Sequence, residues 1–145
     1  MKTRMAAIVG LAVVFSIMMV SVSQAVDNGN GTITLGELVW LKKANCFSNM
    51  NWSSAYSAAT NLQNGACGLT DGSTAGQWRL PTADELQTLF NANDPFDGSL
   101  SNWFWSSTAC TLGIGGYYAL SPGTHRSVNA TPDSTGYYVL PVRAK

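Results

Sequence analysis

The chain has 145 residues with eight Lys plus Arg, eight Asp plus Glu and one His. Two of the cations, Lys2 and Arg4, precede an apolar run from Met5 to Val22, so the remainder carries six cations against eight anions. A slightly acidic chain without a basic stripe does not suit nucleic acid, whose phosphates need neutralising.

The N-terminal stretch has the layout of an export signal: a basic start, the apolar run, then Ser23-Gln24-Ala25 with small residues at the cleavage position. Residues 1–25 are expected to be removed, leaving residues 26–145 as one domain; an uncleaved membrane anchor is the competing reading of the same run. Export places the product in a secreted or periplasmic compartment where disulfides persist.

The segment from Asp27 to Gly31 is rich in turn residues. It has a superficial likeness to a calcium loop but lacks the further oxygen ligands and the terminal Glu of an EF-hand, so a turn is expected and no metal site is assigned. Leu38 to Leu41 reads as a strand. Lys42-Lys43 is the one basic doublet and is expected on a solvated face.

Asn51 can cap a helix on which Trp52, Ala55, Ala59 and Leu62 share one face, with Gly65 expected at its left-handed end. Of the three cysteines, Cys46 and Cys67 bracket this helix, and flanking loops have the slack to close them. That pairing is favoured over the two others, and the loop closure is worth roughly 3 kcal/mol. Cys110 is then free, buried or intermolecular. The stretch from Ala66 to Gln77 is loop by composition.

"WRLPTADEL", Trp78 to Leu86, is the most informative segment. Thr82 and Glu85 have the spacing of a capping box, in which hydroxyl and carboxylate each satisfy a backbone N–H of the other. Pro81 keeps Leu80 extended, so Trp78 and Leu80 point to one side and bury, while Leu86, Leu89 and Phe90 form the face of the following helix. Arg79 points away and is expected to be held by Asp71, Asp84 or Glu85, in a structural role. Asp84 and Glu85 are both expected to serve the helix N-terminus.

The last third contains four runs rich in aromatic and β-branched residues, "NWFWSST", "GGYYALS", "HRSVNAT" and "GYYVLPVR". Pro122-Gly123 should turn the second into the third, and Pro141 puts the fourth at an edge or near its end. Gly113, Gly115 and Gly116 read as a flexible turn. Strand alternation places Trp103 with Trp105 opposite Phe104, and splits the doublets Tyr117-Tyr118 and Tyr137-Tyr138 between two faces.

Catalytic equipment is sparse. His125 is the single histidine and has no Ser or Cys motif attached; Asp94 and Asp97 lie in a turn-rich segment whose expected role is local hydrogen bonding. An enzyme is not expected, and no cofactor motif is present. Rings exported to a sheet surface suit a sugar or a partner's apolar patch.

"LVWLKKANC", "MNWSSAYSAATNL", "CGLTDGSTAGQWRLPTADEL", "FWSST" and "YYVLPVR", in this order, resemble the Legionella collagen-like protein C-terminal domain family, from about Asp27 to Arg143. "RLPTADEL" alone is also similar to sulfatase-modifying-factor proteins. Both resemblances imply an α+β, C-type-lectin-like fold: two helices on a twisted antiparallel sheet, with first and last strands adjacent. They further imply an extracellular or envelope-associated binding module, with glycan adhesion described for the founding member. The chain contains no Gly-X-Y run, none of the EPN, QPD or WND segments of calcium-dependent lectins, and only Cys110 where formylglycine-generating relatives need a pair.

The expected partner is therefore a glycan or an envelope protein. Expected contacts are Trp103, Trp105, Tyr117, Tyr118, His125 and Arg126; Cys46, Cys67, Trp78, Arg79, Thr82 and Glu85 are expected to be structural. The alternative is a subunit of an envelope assembly, a homo-oligomer linked through Cys110.

Overall fold

The computed structural model describes residues 24–92, 96–98, 100–111, 116–122 and 126–145, with the side chains of residues 126 and 127 outside the description. The expected signal, apart from its last two residues, and Asp94, Gly113, Gly115, Gly123 and His125 lie outside the described residues.

Alternating apolar residues fold first into a hairpin. β2 (Thr32–Leu35) and β3 (Leu38–Leu41) pair antiparallel with Ile33 opposite Trp40, joined at Gly36, whose φ of +59° lies in the left-handed region that glycine adopts freely. The turn-rich start closes back as a short strand β1 (Val26–Asp27) on β2. Asn28 secures that return by donating to the hydroxyls of Thr32 and Thr34. The Asp27 carboxylate is occupied by the Gly29 amide and by Lys42, at 2.9 and 2.8 Å. Lys42 also lies 3.5 Å from Asp97, so half of the doublet expected on a solvated face is instead an ion-pair hub.

β7 (Val142–Ala144) completes the first sheet beside β3, in the order β1-β2-β3-β7. The first strand expected from sequence, Leu38–Leu41, thus neighbours the last. A second sheet, β4-β5-β6, comprises β4 (Phe104–Cys110), β5 (Gly116–Ser121) and β6 (Arg126–Ala130), all antiparallel. Gly116 is the first residue of β5 rather than part of a turn; its φ is +138° and the Ala130 carbonyl leaves no room for a Cβ.

The run from Tyr137 to Leu140 links the sheets. Tyr138 bridges Phe104, Tyr137 bridges Met50, and Pro141, which has no N–H, accepts from the Leu41 amide. This crossing divides what reads as one sheet into two.

Helix α1 (Trp52–Thr60) begins at Asn51, whose side chain accepts from the Ser54 amide. It ends at Asn61 in a right-handed conformation, so Gly65 does not cap it; Gly65 has φ +90° and closes a separate turn onto Leu69. Helix α2 (Ala83–Phe90) has the expected capping box: Thr82 Oγ1 accepts from Glu85 N at 3.1 Å, and Glu85 Oε2 accepts from Thr82 N at 2.8 Å.

The two helices sandwich the second sheet. Phe104, Leu120 and Tyr118 face α2 with Leu86 and Leu89, whereas Trp105, Ala119 and Tyr117 face α1 with Ala55 and Ala59. Trp103 and Tyr137 join the α1 side and Tyr138 the α2 side, so every aromatic doublet is divided as alternation requires. Trp78 and Leu80 are both buried to about 1 % exposure, but in different clusters. Leu80 packs under α1, while Trp78 joins Val39, Leu41, Leu62 and Leu69 beneath the loop carrying the Cys46–Cys67 disulfide.

Arg79 stands between these clusters and grips Glu85 with two bonds, 2.8 and 2.7 Å, while also donating to the Leu80 carbonyl. Of the three carboxylates open to it in sequence, Glu85 is therefore the partner, and Asp71 pairs with Arg143 instead. Arg79 holds the Glu85 carboxyl below its ordinary value of 4.5. Burial pushes Asp71 upward, but the Ser73 hydroxyl and amide together with Arg143 outweigh it and leave the group below 3.8.

Groups depressed in this way stabilise the fold above their unfolded values and lose that stabilisation as pH falls through the folded ones. The melting temperature is accordingly expected to hold from pH 7 to about 5 and to fall as pH drops below about 4. Arg79→Ala should cost about 1 kcal/mol at neutral pH, its half-exposed guanidinium being screened by solvent, and should flatten the acid limb. Melting curves of both proteins against pH check this; an unchanged variant would remove the clamp from the account.

Candidate functional site

The strand facing α2 is not regular. β4 pairs Phe104 with Leu120 and Trp105 with Ala119, then slips before pairing Ala109 with Tyr117 and Cys110 with Gly116. The bulge is built from three hydroxyl residues. Ser106 Oγ donates to the Tyr118 carbonyl at 2.7 Å and accepts from Thr108 N at 3.2 Å. Ser107 N donates to the Pro81 carbonyl at 2.7 Å, and Thr108 Oγ1 accepts from Ala83 N at 2.9 Å. A bulge of this kind re-aims side chains, and here it fastens the strand to the first turn of α2.

Between these fastened elements lies a cleft of about 310 Å³, lined by Ala83, Asp84, Gln87, Thr108, Tyr118 and Leu120. Its size is at the lower end of small-molecule sites. Leu120 is buried and gives an apolar floor, while Gln87, Thr108 and Tyr118 are half-buried. The Cys110 thiol beside it pushes the Tyr118 phenol above its ordinary value of 10, so the hydroxyl stays protonated at physiological pH. Cys110 itself, 5 % exposed at the end of β4, is not part of a disulfide among the described residues.

Asp84 and Glu85 both stand in the first turn of α2, where their charge suits the helix dipole as expected. The capping box uses Glu85 alone, and the Asp84 side chain enters no hydrogen bond or ion pair among the described residues. The cleft therefore combines one unpaired carboxylate, an amide, a hydroxyl and an aromatic phenol over an apolar base.

The opposite face of the sheet carries a stack of rings. Tyr117 lies on Trp52 at 3.7 Å between centroids and 8° between planes, and Tyr56, 48 % exposed, continues at 5.4 Å. Trp52 Nε1 donates to the Ser106 carbonyl, which ties the stack to the bulge.

Of the expected contacts, Tyr118 lines the cleft, while Trp103 and Tyr117 are half-buried on the α1 side. Trp105 is not a surface ring: it is 0 % exposed, its Nε1 donates to the Met50 carbonyl, and Tyr137 meets it edge-on. Alternation assigned it correctly to the side of Trp103, but both sides of the sheet are covered by helices. Arg126 opens β6 opposite Ser121. Sequence reasoning missed Asp84, Gln87 and Thr108 as neighbours. The first two are three apart on α2 and so share a face, a signal available beforehand; the bulge that brings Thr108 to them was not.

These features define an α+β module, stapled by a disulfide, whose polar-aromatic cleft is mounted on a sheet held between two helices. The chain belongs to the Lcl C-terminal domain family, whose model matches residues 34–143. No curated protein and no solved structure matches the chain. The architecture is compatible with a C-type-lectin-like fold. Family membership and the disulfide fit an extracellular or envelope location, and no helix among the described residues is long and apolar enough to cross a membrane.

Proposed function

We propose that the domain is a non-catalytic binding module, displayed outside the cell or in the envelope, that holds a glycan in the cleft between α2 and β4–β5. The observation carrying this reading is the joint lining by Tyr118, Asp84, Gln87 and Thr108. A ring for the apolar face of a pyranose and short polar side chains for its hydroxyls are what sugar recognition needs, since a few placed polar groups over an apolar surface fix orientation. Glycoside hydrolysis requires two carboxyl groups flanking one bond, and among the described residues Asp84 is the single carboxylate lining the cleft. The alternative of copies linked through Cys110 is less favoured, because that thiol is buried at the strand end.

A glycan array probed with the purified protein tests the reading. Binding should fall by about tenfold in Tyr118→Ala, the value of one lost aromatic contact, and persist in Tyr56→Ala on the opposite face. Binding that survives Tyr118→Ala, with its fold verified by thermal melting, would reject the cleft.

A further inference from the structure

Within the glycan reading, on which this step rests, we infer that the cleft selects a cationic sugar: a hexosamine with a free ammonium group, as in a deacetylated amino-sugar polymer. The charge on the cleft decides the class. Among the described residues Asp84 is the one charged residue in the lining, and it meets no cation there. Asp27 and Asp97 are matched to Lys42, Asp71 to Arg143 and Glu85 to Arg79; Glu37 and Asp133, like Asp84, enter no ion pair among the described residues, but neither lines the cleft. Asp84 is exposed at the cleft, so its charge is open to a ligand. Among the described residues the adjoining wall is neutral, with the Thr108 hydroxyl suited to a sugar hydroxyl and the Tyr118 phenol an aromatic ring of the kind that attracts a cation.

A sulfated or carboxylated glycan would meet the opposite field. Among the described residues the lining contains no Lys or Arg, and the chain beyond the basic start has two more anions than cations. Placing a sulfate against Asp84 sets like charges together, which costs affinity. The helix N-terminus compensates little, since the amides of Thr82, Ala83 and Glu85 are taken by the Glu85 carboxylate, Thr108 Oγ1 and Thr82 Oγ1.

Four oligosaccharides of equal length test the inference by calorimetry at low and physiological salt: glucosamine, N-acetylglucosamine, cellulose-derived and heparin-derived oligomers. The glucosamine oligomer is expected to bind roughly fivefold tighter than its acetylated form, the value of one solvent-open ion pair, with the margin shrinking as salt rises. Asp84→Asn should abolish that margin and Asp84→Glu should keep it, each variant being checked by its melting curve. Equal binding of the acetylated and free-amine oligomers, a margin that persists in Asp84→Asn, or tighter binding of the heparin-derived oligomer would overturn the cationic preference while leaving the glycan reading in place. If the wild-type protein bound none of the four and no glycan on the array, the glycan reading itself would fall.

Discussion

Trp105→Ala is expected to destabilise the domain by about 3–5 kcal/mol, the range for truncating a fully buried tryptophan. The ring is 0 % exposed and packs with Ala55, Ala59, Leu80, Ala119 and Val139, so its loss opens a cavity between α1 and the second sheet. Its Nε1 also satisfies the Met50 carbonyl at 2.8 Å, in the segment that leads into α1, and Tyr137 loses its edge-on partner. The melting temperature should drop by roughly 10–20 °C. Trp105→Phe should fall between the two, retaining most of the apolar volume and losing the hydrogen bond. Circular dichroism melts measure both. A Trp105→Ala protein melting within about 2 °C of wild type would contradict the assignment of this ring to the core. The same result governs how binding data are interpreted, because a loss of the proposed glycan binding in Trp105→Ala reports an unfolded domain, whereas the same loss in a folded Tyr118→Ala reports the cleft.

Trp105 also marks the limit of what the sequence disclosed. The division of aromatic doublets between two faces follows from the two-residue period of a strand, and each ring lies on its expected side. Which side meets solvent depends on what covers the sheet, and strand period carries no such information. The capping box was legible because Thr82 and Glu85 interact within one helical turn, and Arg79 was legible as a clamp because a charged residue between two buried anchors needs a nearby partner.

The division into two sheets was hidden for a different reason. Tyr137 to Pro141 has the composition of a strand, yet its backbone partners are Met50, Trp103, Trp105 and Leu41, contacts that lie far off in sequence. The bulge escaped notice because Ser106, Ser107 and Thr108 are small hydroxyl residues that suit either face of a strand. Their side-chain bonds to Tyr118, Pro81 and Ala83 exist only once β5 and α2 have been brought alongside. The cleft is therefore a tertiary product, and of its polar lining only Tyr118 was singled out beforehand.

Removing the disulfide should have the second large effect, and a localised one. Replacing Cys46 and Cys67 with serine is expected to cost about 3 kcal/mol in the chain-entropy account for a loop spanning 21 positions. The cluster it covers is the smallest of the three, with Val39, Leu41, Leu62, Leu69 and Trp78 at its centre and the loop from Asn61 to Gln77 as its lid. Besides the disulfide the lid is tied down by polar contacts: Thr70 N donates to the Asn30 carbonyl, Asp71 pairs with Arg143 and Ser73 Oγ accepts from Trp78 Nε1, while Gly31 approaches Gly68 so closely that no side chain fits between them. Cys67 is held at φ +55°, a left-handed conformation costly for a residue with a Cβ, and the covalent link helps to hold it there. Without the link the lid should open before the rest unfolds, exposing Trp78, while the second sheet and its cleft, built on α2 and β4–β5, retain their packing. Hydrogen exchange would then speed up in residues 61–77 ahead of β4 and β5, and urea midpoints would fall in the double-serine variant and in the reduced wild-type protein alike. Uniform acceleration across both sheets, or an unchanged urea midpoint, would show that the staple and the lid are not coupled in this way.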